Sequence, residues 1–188
     1  DRDGAWMDDD KSGWVQGRFT WLLARMCTAV ETREEWYEGA RHGIEFMRRC
    51  GYDADRRMWF QLDRSGRGLR KRRYAYTEFF AAMAFAEWSR ISGDEEAADE
   101  ARRLFHLACG DMRGGRGPAK VEPVRPAKAL GVPMITLGVA HVLEDCLTDP
   151  GVEEERDRAL GEIRTEFMRP DLGCLLECVG PGGELIEH

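Results

Sequence analysis

Residues 11–25 read KSGWVQGRFTWLLAR, a stretch in which aromatic and basic residues recur at steps of three and four. In a helix this spacing places two indoles and two guanidiniums on one face, those of Trp14, Arg18, Trp21 and Arg25. Helices packed in a core rarely carry arginine, because a charge removed from water needs a partner. The stretch therefore predicts a helix that lines a polar cavity. The alternative is a surface helix whose arginine stems cover apolar neighbours.

The composition narrows the class of protein. The chain has 188 residues, of which 43% are apolar, so it can bury one sizeable core. A net charge of -7 argues against a nucleic-acid partner or an anionic membrane surface, since both need a basic face. No apolar run approaches the roughly 20 residues of a membrane span, and no signal peptide is recognisable. We therefore expect a cytoplasmic protein.

Six cysteines are scattered along the chain, and none forms a C-x-x-C pair. Cys174 and Cys178 have no nearby histidine pair that would complete a zinc site, so no metal is expected. We interpret the six cysteines as free, buried thiols in a reducing compartment.

Hydrophobic periodicity predicts six helices separated by turn-forming residues. They cover about residues 12–29, 34–50, 76–91, 95–109, 133–147 and 152–168. Short strands are expected on either side of a turn within residues 1–10 and in two further hairpins, 58–62 with 69–73 and 174–179 with 184–186. The segment 110–127 is rich in glycine, proline and arginine and is expected to be irregular.

An internal repeat organises these elements. The sequence DRDG at residues 1–4 recurs as DRSG at 63–66, which is 62 residues later. In each copy an aromatic helix is predicted to start about ten residues further on, at Trp14 and at Tyr76. The repeating unit is a hairpin, an inner helix and an outer helix, which favours an architecture of stacked helical hairpins.

Several segments also carry the patterns of one family. The stretch from Lys11 to Arg25 resembles K-x-x-W-x-Q-G-R-x-x-W-x-x-x-R, and the opening DRDGAWMDDDK resembles D-x-D-G-x-x-x-D-x-x-K. Residues 76–94 resemble E-x-F-x-x-M-A-x-x-E-x-x-x-x-T-G-D, residues 132–134 a V-P-M segment, and residues 176–179 an L-E-x-V strand. Over nearly its whole length the chain thus resembles the N-acylglucosamine 2-epimerase family, which includes the renin-binding proteins.

This resemblance implies an all-α fold, an αα-hairpin toroid built as a partial (α/α)6 barrel. The odd-numbered helices would line the cavity, and short β-hairpins would sit at its mouth. Residues 1–188 are expected to form a single domain of about half a barrel, truncated at both ends relative to the family.

The resemblance also implies a set of site residues. Arg18 would be catalytic, stabilising the enolate-like oxygen that forms when a proton leaves the carbon beside a carbonyl. Glu78 would be its counter-charge, or that of Arg25, or would bind a sugar hydroxyl. Four residues would contact the sugar: Trp14, Trp21, Tyr76 (or Tyr74) and Met134. The alternatives are a structural ion pair for Arg18 and core packing for the aromatic residues.

The implied reaction removes the C2 proton of the ring-opened sugar and returns it to the opposite face, interconverting N-acetylglucosamine and N-acetylmannosamine. It requires no cofactor or metal, although some family members bind a nucleotide as an effector. The two acid/base histidines are expected beyond His188. The expected partners are a small sugar and, for assembly, a second copy in a homodimer.

Other functions remain open on the residues alone. Within the same superfamily these are a cellobiose or mannose 2-epimerase and an aldose–ketose isomerase. A non-catalytic binding protein could use the same scaffold. A glycoside hydrolase would need two carboxylates about 5 to 10 Å apart in the cavity, and Glu78 is the one candidate on an inner face.

Overall fold

The computed structural model describes residues 2–3, 8–71, 75–114 and 126–186. Within these ranges the chain forms six α-helices: α1 (Gly13–Ala29), α2 (Glu34–Cys50), α3 (Tyr76–Ser92), α4 (Glu95–Gly114), α5 (Gly131–Glu144) and α6 (Pro150–Glu162). A π-helical turn, Ile163–Phe167, continues α6. Parts of two predicted segments lie outside the described residues: residues 1 and 4–7 of the turn region predicted at 1–10, and residues 115–125 of the irregular segment predicted at 110–127. Tyr74 lies outside them too.

Helix α3 is the centre of the core, where it packs against α1, α4 and α5. Its sequence YTEFFAAMAFAEWSRIS is apolar on nearly every side, which is typical of a helix surrounded by other helices. The buried apolar side chains are those of Phe79, Ala81, Ala82, Ala84, Phe85, Ala86 and Trp88. The alanines permit close approach of the neighbouring helices, so α3 holds the inner layer together.

The closest approach of α1 to α3 occurs at Gly17, in the middle of the Trp14–Arg18 motif. A Cβ added to Gly17 would lie 2.8 Å from the carbonyl oxygen of Phe80, closer than side-chain atoms approach a backbone. The absence of a side chain at this position therefore lets the two inner helices touch. It also brings the next residue, Arg18, against the Phe80 ring.

Helices α2, α4 and α6 form an outer layer over α1, α3 and α5, which confirms the predicted alternation of inner and outer helices. Outer helix α2 has the same bounds as predicted, and its charged ends, Glu34 with Glu35 and Arg48 with Arg49, complement the helix dipole. Helix α4 is longer than predicted and continues to Gly114.

Helix α6 begins at Pro150, two residues before the predicted start at about residue 152. Proline at the first helical position loses no hydrogen bond, because the first amides of a helix have no intrahelical partner. The Asp149 carboxylate caps the helix by accepting from the Gly151 amide at 2.9 Å. A proline therefore marks the beginning of a helix where the residue before it can act as an N-terminal cap.

One three-stranded antiparallel sheet joins the first two inner helices. Its strands are β1 (Lys11–Ser12), β2 (Gln61–Leu62) and β3 (Gly68–Arg70), in that order, so the hairpin before α3 pairs with the segment before α1. The predicted turn at 63–66 is confirmed: Asp63 accepts from the amides of Ser65 and Arg67, and Gly66 has a φ of 91°. Strand β2 is shorter than predicted, since residues 58–60 lie outside it.

The predicted hairpin between 174–179 and 184–186 is wrong. The first segment is divided into β6 (Cys174–Leu175) and β7 (Cys178–Val179), which pair with β5 (Met168–Arg169) and β4 (Lys128–Ala129), respectively. Residues 184–186 form no strand, although the Gly180–Gly183 turn is closed by the Gly183 amide bonded to the Gly180 carbonyl and the Gly180 amide bonded to the Glu184 carbonyl. Strand β4 precedes α5, so each inner helix begins at a small sheet; we call this side of the molecule the hairpin end.

No helix in the described ranges combines the length and apolar character needed to cross a membrane. All six cysteines are free, but only Cys27 and Cys109 are buried as expected. Cys50 and Cys146 are half-buried, and Cys174 and Cys178 are exposed because they lie on short strands at the surface.

Candidate functional site

Four aromatic rings meet at the hairpin end, and we call them the aromatic cluster: Trp14, Phe60, Tyr76 and Phe80. Trp14 is at the centre, 5.5 Å from Phe60 and 5.7 Å from Tyr76 between ring centroids. It contacts Phe80 edge-on at 6.0 Å. All four rings are half-buried, so each keeps some apolar surface in contact with solvent. Such surfaces suit the apolar face of a sugar ring.

Arg18 lies one helical turn after Trp14, beside this cluster. Its guanidinium carbon is 4.9 Å from the centre of the Phe80 ring, and its Nε donates to the Trp14 carbonyl at 3.4 Å. The side chain is exposed and forms no ion pair with any described residue. The guanidinium is therefore oriented by an aromatic ring while its charge stays available to a ligand.

Glu78 pairs with Arg57, so the expected pairing with Arg18 or Arg25 is wrong. The wholly buried carboxylate accepts from Arg57 Nε at 2.9 Å and from the Met58 amide at 3.3 Å. Residues two apart point to opposite sides of a helix, so Glu78 faces away from Tyr76 and Phe80. It has no exposed surface that a sugar could contact.

Arg57 also pairs with Asp111 of α4 at 2.5 Å, which makes it a bridge between two carboxylates. Burial opposes its protonation, but the charges of Glu78 and Asp111 raise the pKa of the Arg57 guanidinium. This network fastens the loop before β2 to α3 and α4. Its contribution is structural.

Arg25 lies at the opposite end of α1 from the hairpins and is also structural. Its guanidinium is 3.5 Å from Glu87 of α3 and 3.3 Å from Asp145 after α5, so it connects the ends of all three inner helices. Glu87 is wholly buried and accepts a 2.8 Å bond from Thr28. A small polar cavity of about 170 Å³ opens beside this network.

Three further residues were expected to contact the sugar, Tyr76, Met134 and Trp21, and of these Tyr76 belongs to the aromatic cluster. Its hydroxyl donates to the Gly131 carbonyl at 3.2 Å, which holds the start of α5 against α3. Met134, less than one turn further along α5, is 59% exposed. Trp21 is half-buried, packs against the core and makes no contact with the cluster among the described rings.

The family model described as N-acylglucosamine 2-epimerase (GlcNAc 2-epimerase) matches residues 1–169. The chain belongs to this family. The N-acylglucosamine 2-epimerase of Bos taurus is 30% identical over 192 aligned positions. The alignment covers 98% of this chain and 43% of the Bos taurus protein. The Homo sapiens protein of that name is 29% identical, with coverages of 97% and 45%. The chain therefore spans less than half the length of these relatives.

Solved structures of similar fold support the architecture. Cellobiose 2-epimerase from Bacillus thermoamylovorans superposes with a TM-score of 0.82 at 17% identity, over 95% of this chain and 50% of that one. A sugar epimerase from a ruminal bacterium gives 0.78 at 21%, with the same coverages. A D-mannose isomerase gives 0.75 at 17%, over 98% and 49%. The expected partial (α/α)6 barrel is thus confirmed.

In this member of the epimerase family, sequence reasoning missed two of the four cluster residues, Phe60 and Phe80. Phe80 follows Tyr76 by one helical turn, so helical spacing was a sufficient signal for it. Phe60 lies in the loop before β2 and reaches the cluster because β2 pairs with β1, directly before Trp14. Only that long-range pairing reveals its role.

The histidines of the described residues lie away from the aromatic cluster. His42 and His106 are on the outer helices α2 and α4, and His106 Nε2 is 2.9 Å from the capping residue Asp149. His141 is in the last turn of α5, far from the hairpin end. His188 lies outside the described residues. None of the described histidines is placed for proton transfer at Arg18.

Proposed function

We propose that the protein containing this chain is a sugar 2-epimerase that interconverts N-acetylglucosamine and N-acetylmannosamine. Membership of the family and the names of the curated relatives support this class of reaction. The observation that carries the proposal is the position of Arg18. Its guanidinium stands beside the aromatic cluster without a carboxylate partner among the described residues.

The reaction would use Arg18 in the following way. In the ring-opened sugar C1 is an aldehyde, so the C2 proton is adjacent to a carbonyl group. Its removal leaves an electron pair that forms a C1–C2 double bond and places negative charge on O1. Arg18, protonated at any working pH, would donate hydrogen bonds to that oxygen. Return of a proton to the opposite face of C2 restores the aldehyde with inverted configuration.

The other described residues would position the sugar. Trp14, Tyr76 and Phe80 offer ring faces to its C–H groups, and the exposed Met134 side chain lies where α5 borders the same end. Proton removal and return require one acid/base group on each face of C2. We propose that these groups are histidines outside residues 1–188.

The proposal extends to the setting of the enzyme. We place it in the cytoplasm, acting on a small sugar without a redox cofactor, because the two proton transfers exchange no electrons. A nucleotide effector and a homodimeric assembly remain parts of the proposal, and both are measurable on the full-length gene product.

Hydrogen exchange at C2 tests the proposal directly. The full-length gene product would be incubated in heavy water with N-acetylglucosamine, glucose or cellobiose, and loss of the C2 proton followed by NMR. We expect exchange with N-acetylglucosamine, reduced at least about 100-fold in Arg18→Ala, as for loss of an oxyanion-stabilising donor. Arg64→Ala, which removes an exposed arginine that pairs with Asp9, is the matched control and should keep full activity.

The other outcomes separate the alternatives. Exchange with cellobiose or glucose in preference to N-acetylglucosamine would identify a different 2-epimerase or an aldose–ketose isomerase. Sugar binding without exchange at C2 would identify a binding protein on the same scaffold. Full activity of Arg18→Ala would remove the assigned role of Arg18 whichever sugar reacts.

A further inference from the structure

The β2–β3 hairpin and the residue after it carry four cations, and one of them differs from the others. Three form ion pairs with carboxylates: Arg64 with Asp9 at 3.4 Å, Arg67 with Asp63 at 2.7 Å, and Lys71 with Asp53 at 3.6 Å. Arg70, the last residue of β3, pairs with no carboxylate of the described residues. Among the described residues of this hairpin, Arg70 is therefore the cation whose charge no carboxylate compensates.

Arg70 is directed at the aromatic cluster. Its guanidinium carbon is 5.7 Å from the centre of the Phe60 ring, and that ring contacts Trp14. Arg18 occupies the corresponding position over Phe80, which contacts Trp14 from another side. Two guanidiniums without carboxylate partners among the described residues therefore border one group of aromatic rings that contact each other through Trp14.

The two arginines and the rings between them suit a particular kind of ligand. A guanidinium presents a planar fork of donors that matches the oxygens of a phosphate or carboxylate, and stacking on a ring fixes its orientation without neutralising its charge. The rings between the two arginines offer an apolar surface that suits a sugar. A ligand that satisfies all three features is a sugar with an anionic group.

We infer that Arg70 forms a subsite for an anionic substituent, phosphate or carboxylate, carried by the sugar at the end remote from C1. The inference rests on the proposed function, because the C1–C2 end of the substrate is assigned to Arg18. Since Arg70 is exposed, its attraction for the anion falls as salt screens it.

Calorimetric titration of the full-length gene product tests this subsite. The ligands are N-acetylglucosamine, its 6-phosphate, and N-acetylglucosamine in the presence of inorganic phosphate, each at low and at high ionic strength. The wild-type protein should bind the 6-phosphate about fivefold more tightly than the neutral sugar at low salt, as expected for a charge-assisted contact at an exposed site. Arg70→Met should abolish the preference, and Arg64→Met, the same charge change on the same hairpin, should retain it.

The contrary outcomes are equally defined. Equal affinity for the two sugars, or a preference that survives in Arg70→Met or is lost in Arg64→Met, overturns the inference. Tighter binding of the neutral sugar when inorganic phosphate is added shows a separate anion rather than a sugar substituent, and also overturns it. A preference lost only in Arg70→Met supports it.

The C2-exchange measurement keeps this inference and the proposed function distinguishable. Exchange of the neutral sugar without a preference for the 6-phosphate leaves the epimerase in place and removes the anionic subsite. A preference that depends on Arg70, in a protein that exchanges no C2 proton, supports the subsite and removes the epimerase.

Discussion

Arg57 donates a hydrogen bond across 2.9 Å to Glu78, whose carboxylate is wholly buried beneath the loop that precedes β2. The Arg57 side chain itself is only 16% exposed. A buried ion pair of this kind contributes little compared with an apolar pair of the same size, but breaking it leaves an uncompensated charge in the core. The two residues therefore form the most sensitive point of the network that holds this loop.

We expect Arg57→Met to destabilise the protein by about 3 kcal/mol, because Glu78 would remain buried without its partner. Arg56→Met is the control, since Arg56 is 65% exposed in its pair with Glu100 and should contribute less than about 1 kcal/mol. Urea denaturation followed by circular dichroism measures both. The double variant Arg57→Met/Glu78→Met should recover the part of the loss that comes from Glu78, while Asp111 stays without its partner. No recovery at all would argue against charge burial as the cause.

Gly17→Ala should separate α1 from α3. The new Cβ would clash with the Phe80 backbone, which cannot move without displacing α3, so we expect a loss of about 2 kcal/mol. Gly110→Ala in α4 has no atom within 4 Å of the added carbon and should instead stabilise by about 0.5–1 kcal/mol, as usual for glycine in a helix interior. Thermal unfolding of the two variants should shift in opposite directions. Shifts of the same sign would contradict the close helix contact.

Asp149 should make part of the free energy of unfolding decrease as the pH falls into the acid range. Burial opposes its ionisation, but hydrogen bonds from His106 and the Gly151 amide lower the pKa of the carboxyl below its usual value. Because the pKa is lower in the folded state, ionised Asp149 stabilises the protein above the unfolded pKa of about 4, and this contribution is lost as the pH falls through the folded pKa.

Asp149→Ala is therefore expected to cost about 1 kcal/mol at pH 7, through loss of the cap on α6, and progressively less below about pH 4. Urea midpoints measured between pH 7 and pH 2 would show the two curves converging. A difference that stays constant over this range would mean that the ionised carboxylate is not the stabilising form.

The cysteines should divide into two classes of reactivity. Burial raises the pKa of the Cys109 thiol to about 12, and burial with the adjacent Glu87 charge does the same for Cys146. Cys174 and Cys178 are exposed. Because the thiolate is the reactive form, iodoacetamide at pH 8 should modify the exposed pair at least about 100-fold faster. Mass spectrometry of timed samples measures the rates, and equal rates would contradict the packing of α4 and α5.

Local sequence patterns determined the helices and their order. The apolar period of residues 34–50 marks α2 at its observed ends, and α3 and α4 are separated close to the predicted boundary between residues 91 and 95. These signals succeed because hydrogen bonds within a helix, caps and turns join residues only a few positions apart. The internal repeat added the alternation of inner and outer helices, which no single helix specifies, and the family patterns added the partial barrel.

Tertiary structure alone decided which charges meet. Glu78 forms its ion pair with Arg57 of a loop and not with Arg18 of the neighbouring inner helix. Arg25 pairs with Glu87 and Asp145 at the opposite end of α1 from the hairpins. Strand pairing brought Phe60 to Trp14 from more than 40 residues away in sequence, and it placed Arg70 over the Phe60 ring. The physical reason is that a side chain's partner depends on how separate elements pack. The packing of elements that are distant in sequence produces no periodic pattern of residues within any one segment.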